Sequence, residues 1–223
     1  MKKILFISDS HGANYGATSY SSFLSNKYEI EKMIFAGKHT GYIKENIIFD
    51  KKYDYIFIQV GNPDVHPRMP HLLLKRMRKL LPFVRDSLFT VPPRFSIMYI
   101  IRFPFFFLRI LVTKFVYREF YLKNDIVVNN IKKIYDLCKD KSNKILIFPL
   151  FKVSPIFYSK YHNSNVEVCN EKMRDLFSNN MLENEVLNYK YYKNYYNRDL
   201  FHFKEKYHIQ LSELIINIVD QGE

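Results

Sequence analysis

The chain has 223 residues, 48% of them apolar and 17% aromatic, which is enough for a packed core and excludes a disordered segment. Its net charge is +12, but the excess is confined. Between His66 and Arg118, 11 lysines and arginines meet one acid, Asp86, so this stretch carries +10 and the rest of the chain is near neutral. No nucleic-acid-binding motif accompanies that charge, and no nucleic-acid partner is expected. The two cysteines, Cys138 and Cys169, are far apart and read as reduced thiols. Lys2-Lys3 is followed by only four apolar residues before Ser8-Asp9, too few for the core of a secretion signal, so a cytoplasmic location is expected.

In chain order, Lys3 to Ser8 reads as a buried strand that stops at the reactive cluster Ser8-Asp9-Ser10-His11-Gly12. A helix is expected over Tyr15 to Ser25, then a strand from Glu29 to Ala36 ending in Gly37-Lys38-His39-Thr40-Gly41. Asp54 to Val60 is a third strand, stopped by Gly61-Asn62-Pro63. After the basic segment, Asp125 to Asp140 carries Ile126, Val127, Ile131, Ile134, Tyr135 and Cys138 at helical spacing. Lys144 to Phe148 is a fourth strand, Asn165 to Leu182 a helix, Glu185 to Tyr189 a short fifth strand, and Phe203 to Val219 the last helix. This alternation predicts a three-layer α/β/α fold around a parallel sheet, as one domain over 1–223 with an insertion at about 66–120. In such sheets ligands bind at the carboxyl ends of the strands.

Two families share the letters at the end of the first strand. Asp9-Ser10-His11-Gly12, with Gly61-Asn62-Pro63-Asp64 later, resembles the metal-binding blocks of the calcineurin-like metallophosphoesterases. The rest of that pattern is missing. No Gly-Asp pair lies between the blocks, Pro63 stands where a His is needed, and no two histidines are separated by one residue. Two divalent ions need roughly seven or eight N/O ligands, far more than these blocks supply.

The same stretch resembles the first block of the SGNH (GDSL) hydrolases, Gly-Asp-Ser-(Leu), with Ser8 in place of the Gly. Gly61-Asn62-Pro63-Asp64 resembles their Gly-x-Asn-Asp block, although Gly and Asn are adjacent here. Asp199-Leu200-Phe201-His202, followed by an amphipathic helix, matches their final Asp-x-x-His block. The resemblance implies a flavodoxin-like fold, a nucleophile at Ser10, a base at His202 oriented by Asp199, and no metal or cofactor. It implies an oxyanion hole from the Ser10 N–H, the Asn62 amide and a loop glycine, Gly41 by depth in the loop, with Gly37 its rival. The residues themselves suit these roles, because a serine hydroxyl needs a base and three residues' spacing lets a carboxylate lie beside that base. Taken singly, Ser10 and Asp199 also read as helix caps and Asn62 as a turn residue. Their coincidence at three successive element ends favours the site.

The implied reaction is hydrolysis of an acyl ester, such as an O-acetyl group of a carbohydrate or surface polysaccharide, through an acyl-serine. Three alternatives stand beside it: an O-acyltransferase with the same triad, the metal-dependent phosphoesterase above, and a non-catalytic carbohydrate- or membrane-binding module. Arg68 is placed to clamp an acidic group of the substrate, or is a plain surface arginine. His11 and Asn14 follow the serine and read equally as pocket or structural residues. The Tyr-rich run Tyr189 to Asn197 offers aromatic faces to sugar rings, or is a surface loop.

Ile97 to Tyr117 is long enough to span a bilayer, but Arg102, Arg109, Lys114 and Pro104 interrupt it. With Leu72 to Arg85, which mixes leucines with Lys75, Arg76, Arg78, Lys79 and Arg85, it suits a peripheral membrane contact over residues 72–118, or a lid over the site.

Overall fold

Four of the expected strands form one parallel sheet in the computed structural model, which describes residues 1–80, 89–92, 94–116, 118–153, 159–187 and 195–221. The strands are β1 (Lys3–Ser8), β2 (Glu29–Ile34), β3 (Tyr53–Gln59) and β4 (Ser142–Ile147), in the order β2-β1-β3-β4. Ser8 pairs with Ile34 on one side and Gln59 on the other. Three strands therefore end level where Asp9 and Ser10 begin.

Period-two alternation sorts each strand between two faces. Leu5, Ile7, Ile56, Ile58, Ile145 and Ile147 face one layer of helices, while Ile4, Phe6, Tyr55, Phe57 and Leu146 face the other. The first layer is α2 (Thr40–Asn46), α6 (Asn124–Cys138) and α7 (Ser159–Phe177). Cys138 and Cys169 are buried there as free thiols, and burial pushes each up to about 12. The second layer is α1 (Tyr20–Phe23) and α8 (Glu205–Gln221), whose Tyr207, Leu211, Ile215 and Val219 recur every fourth residue on the buried side. The three-layer α/β/α arrangement expected from the alternation is the one observed.

Two expectations fail locally. The helix expected from Tyr15 shrinks to α1, because Asn14 Oδ1 accepts the Ser19 N–H and holds the preceding chain as a loop. The fifth strand is absent among the described residues. Asn184 Oδ1 accepts the Val186 N–H and the Asn184 carbonyl accepts the Leu187 N–H, so Glu185, Val186 and Leu187 form a turn; Asn188 and Tyr189 lie outside the described residues. One bridge, Ile147 to Met181, continues the sheet past β4.

The insertion is helical. It follows the short α3 (Asn62–Val65) and contains α4 (His71–Leu80), α5 (Ile97–Leu111) and a π-helical turn, Val112–Val116. Of the expected basic helix, the part from Leu81 to Arg85 lies outside the described residues, as does Tyr117. Met69, Leu74, Phe89 and Val112 join α4 to the end of α5, while Phe106 and Ile110 pack α5 on Val91 and Val153. Among the described residues no helix is long and apolar enough to cross a membrane.

Candidate active site

The end of β1 is built around the Asp9 carboxylate. It is fully buried and accepts from the His11 N–H, His11 Nδ1, Gln59 Nε2, the Asn62 N–H and Asn62 Nδ2, at 3.0–3.2 Å. Burial alone would raise its pKa, but the bonds from His11 and Asn62 hold it below the ordinary carboxylate value. Asp9 also caps the 3-10 turn Ser10–Gly12 through the His11 N–H. That turn lifts Ser10 off the end of the sheet. Ser8, where a glycine would be expected, donates to Gln59 Oε1 at 2.6 Å. It leaves no room opposite: a Cβ on Gly12 would stand 2.1 Å from Ser8 Oγ.

The other half of the site comes from the loop before α8. Asp199 Oδ1 accepts the N–H groups of Phe201 and His202 at 3.1 and 3.0 Å, which closes a tight turn with Leu200 at φ 59°. Asp199 Oδ2 lies 2.6 Å from His202 Nδ1, and His202 Nε2 lies 2.9 Å from Ser10 Oγ. With Nδ1 protonated toward the carboxylate, Nε2 is left to accept the serine proton. The Tyr15 ring packs on the imidazole with centroids 4.4 Å apart. Residues nearly two hundred positions apart in sequence thus meet in one hydrogen-bonded line.

Ser10, Asp199 and His202 open into a cavity of about 300 Å³, also walled by Tyr15, Gly37, His66, Arg68 and Arg109. Arg68 and Arg109 separate it from a second hollow of about 430 Å³ against Arg78, Glu119 and Tyr121. The Arg68 guanidinium lies 3.3 Å over the Tyr121 ring and donates to the Pro63 carbonyl. This keeps its positive charge at the junction of the two cavities. His162 Nε2 lies 3.1 Å from the Phe151 carbonyl and His66 Nδ1 lies 3.4 Å from His162 Nδ1. Burial holds His162 down to about 4, and burial with the nearby Arg109 holds His66 well below its ordinary value, so both rings are neutral at pH 7.

The remaining expected site residues fare differently. Asn62 is buried, with Oδ1 accepting the Phe151 N–H and Nδ2 giving a hydrogen to Asp9, and it is not part of the cavity wall. Gly41 does not line the cavity; Gly37 does, at φ +70. His39 caps α2 and Asp64 grips Thr40 through its N–H and hydroxyl, which draws Gly41 into the first helical turn against His39 and Asn130. Burial raises the Asp64 carboxyl to about 7 despite those bonds. His11 is structural, held between Asp9 and the Phe201 carbonyl. Asn14 braces Ser19 and Ser22. The Tyr-rich run lies mostly outside the described residues (188–194).

The donor arrangement also bears on the metal-binding alternative. Asp9 and His11 are bonded to each other and the Asp64 oxygens to Thr40. Among the described residues, no three His, Cys, Asp or Glu side chains gather as a metal site.

Tyr15, His66, Thr90, Val91, Arg109 and Phe201 also line the cavity, and none of them was expected to take part in the site. Arg109 had a usable signal: it interrupts an apolar run at the spacing of Phe106 and Ile110, the buried side of α5.

No protein-family model and no curated protein matches the sequence. Solved structures do match the fold. An α/β hydrolase from the metagenome of Lake Arreo, Spain, aligns with TM-score 0.61 at 11% identity over 98% of this chain and 95% of its own. A GDSL-like lipase from Bacteroides thetaiotaomicron gives 0.59 at 12% identity, over 100% and 89%. An acetylxylan esterase from Geobacillus stearothermophilus gives 0.56 at 14%, over 97% and 93%. With the sheet order, the Ser10 turn, the Asp-x-x-His loop and the closing helix all in place, the chain has the α/β/α fold of the GDSL-like (SGNH) hydrolases.

Proposed function

We propose that the protein is a serine esterase that works through an acyl-Ser10 intermediate. The observation that carries this reading is the line Ser10 Oγ, His202 Nε2, His202 Nδ1 and Asp199 Oδ2, with links of 2.9 and 2.6 Å, opening on a cavity. Ser10 Oγ attacks the ester carbonyl as His202 takes its proton. Asp199 holds the ring and stabilises the imidazolium. The oxyanion is met by the Ser10 N–H and by the Gly37 N–H in place of Gly41, while Asn62 is taken up by Asp9 and the Phe151 N–H and serves the site by holding Asp9. Collapse breaks the C–O bond, and His202 returns the proton to the leaving alcohol. Water, deprotonated by the same imidazole, then releases the acid and restores Ser10.

The likeness in fold to an acetylxylan esterase supports a short acyl group such as acetyl. The Arg68–Arg109 junction favours an alcohol part with polar or acidic substituents, as on a carbohydrate. Transfer of the acyl group to a sugar hydroxyl would use the same intermediate, with the hydroxyl replacing water.

Turnover of p-nitrophenyl acetate, with and without Ser10→Ala, tests the reading. The expected outcome is loss of about three orders of magnitude or more in kcat, together with covalent labelling of the native protein, but not the variant, by a fluorophosphonate. Unchanged turnover in Ser10→Ala overturns the serine mechanism. Loss of native activity in EDTA points instead to the phosphoesterase. Added sugar acceptors that divert acetyl from water to a hydroxyl identify the transferase.

A further inference from the structure

The insertion carries two surfaces that the proposed chemistry leaves unused. The inner side of α5 is occupied: Phe106 and Ile110 are buried against Val91 and Val153, and Phe201, next to the histidine base, joins the same cluster. Its outer side is apolar and open. Ile97 is 73% exposed, Ile100 and Ile101 more than half, and Phe107 nearly half, while Phe115, one turn beyond, is 71% exposed. A water-facing helix of a folded domain ordinarily carries charge on that side.

The neighbouring helix supplies the charge. In α4, Lys75, Arg76, Arg78 and Lys79 are exposed, while Leu74 is buried in the cluster shared with the end of α5. Neither helix contains an acid. A basic helix thus packs beside an apolar one, in the stretch that holds almost all of the molecule's net charge.

We propose that α4 and α5 dock on an anionic lipid bilayer, with α5 lying in the plane of the interface. The charge decides between occupants. A second copy of this chain would bring the same basic helix against itself or against a near-neutral body, whereas a bilayer rich in anionic headgroups satisfies α4 while its acyl region takes the open side of α5. Fifteen helical residues reach about 22 Å, short of a span but enough to lie flat. Arg102 and Lys114 reach headgroup level along their stems. Because Arg109, Thr90 and Val91 of the same insertion wall the cavity, docking brings the Ser10 hydroxyl to substrates presented at a membrane.

Binding is measured without substrate, so it stands or falls apart from the esterase reading. The full chain is sedimented with vesicles of phosphatidylcholine mixed with phosphatidylglycerol, and with pure phosphatidylcholine. The mixed vesicles are expected to bind at least about tenfold more tightly, with most of the difference lost at high salt as exposed charges are screened. Ile100→Glu with Phe107→Glu is expected to abolish binding while leaving turnover of a short soluble ester within about twofold. Lys75→Glu with Lys79→Glu is expected to remove the preference for anionic vesicles. Circular dichroism on both variants controls for folding, and the charge-reversal pair alters only exposed positions. No binding to the mixed vesicles at low salt overturns the proposal. So does a native dimer, in sedimentation velocity, that the Ile100→Glu, Phe107→Glu variant converts to monomer, since a second copy then covers the face.

Discussion

Ser10 owes its position to groups that never touch substrate. Five donors hold Asp9, Asp9 holds the 3-10 turn, and the turn presents the hydroxyl to His202. Removing the chemistry should therefore leave the scaffold standing. His202→Ala is expected to lower kcat by about three orders of magnitude or more, with little change in melting temperature, because the ring is partly exposed and carries no core. Asp199→Asn is expected to cost roughly as much in kcat, because an amide at Oδ2 favours the wrong imidazole tautomer; kinetics and thermal melts on the same preparations check both. The Ser8–Gly12 contact makes a separate prediction about stability. Gly12→Ala alone places a methyl group 2.1 Å from Ser8 Oγ and is expected to destabilise by about 1–3 kcal/mol. Adding Ser8→Gly removes the clash. A double-mutant cycle in urea should then show a favourable coupling of about 0.5–3 kcal/mol, and additive effects would mean that the chain relaxes around the methyl.

At the scale of elements, the short helix α2 decides which glycine reaches the cavity. Its first turn is anchored from outside by Asp64, which accepts from both the N–H and the hydroxyl of Thr40, while Asn130 of α6 donates to the same hydroxyl. Asp64→Ala leaves a buried N–H without its acceptor. It is expected to cost about 1–3 kcal/mol in urea unfolding and to lower kcat for p-nitrophenyl acetate, because the turn holding Gly37 loses its stop. Undiminished kcat in a variant so destabilised would remove Gly37 from the proposed oxyanion hole. The helix α5 has the opposite character, with one side committed to the active-site loop and the other left open to water.

For the molecule as a whole, the buried titratable groups set the response to acid. His66, His162 and His208 are held neutral by burial, with His162 at about 4 and His208 at about 3. Unfolded histidines take up protons near pH 6.5, so these depressed values contribute stability above that pH that is lost as pH falls toward 4. Asp64 works in the other sense: its raised value, about 7, favours the fold below pH 4 and loses that contribution as pH rises to 7. Three groups against one leave a net loss of stability on acidification. Calorimetry is expected to show the melting temperature rising from about pH 4.5 to 6.5 and levelling near neutrality. A flat profile over that range would mean that water reaches these imidazoles.

Much of this architecture is legible in the sequence. The apolar runs of β1, β3 and β4, the amphipathic repeat of α8 and the small reactive cluster after β1 are local patterns, fixed by periodicity and by what a buried parallel strand requires. The residues of the three motif blocks could be named for the same reason, since each block is short and contiguous. The approach of His202 to Ser10 could not be read from either block, because it depends on how the loop before α8 folds over the sheet edge. Gly37 rather than Gly41 on the cavity wall follows from a capping contact between α2 and Asp64, which are 24 residues apart. Arg109 and His66 join the cavity through the packing of the insertion, and the expected fifth strand gave way to an Asn184 turn. The sequence by itself determined which residues could do the chemistry and which faces would be buried, because those depend on residue type and short spacing. Only the tertiary structure decided which of them meet, because hydrogen bonds and cavity walls between distant segments depend on where each element stops.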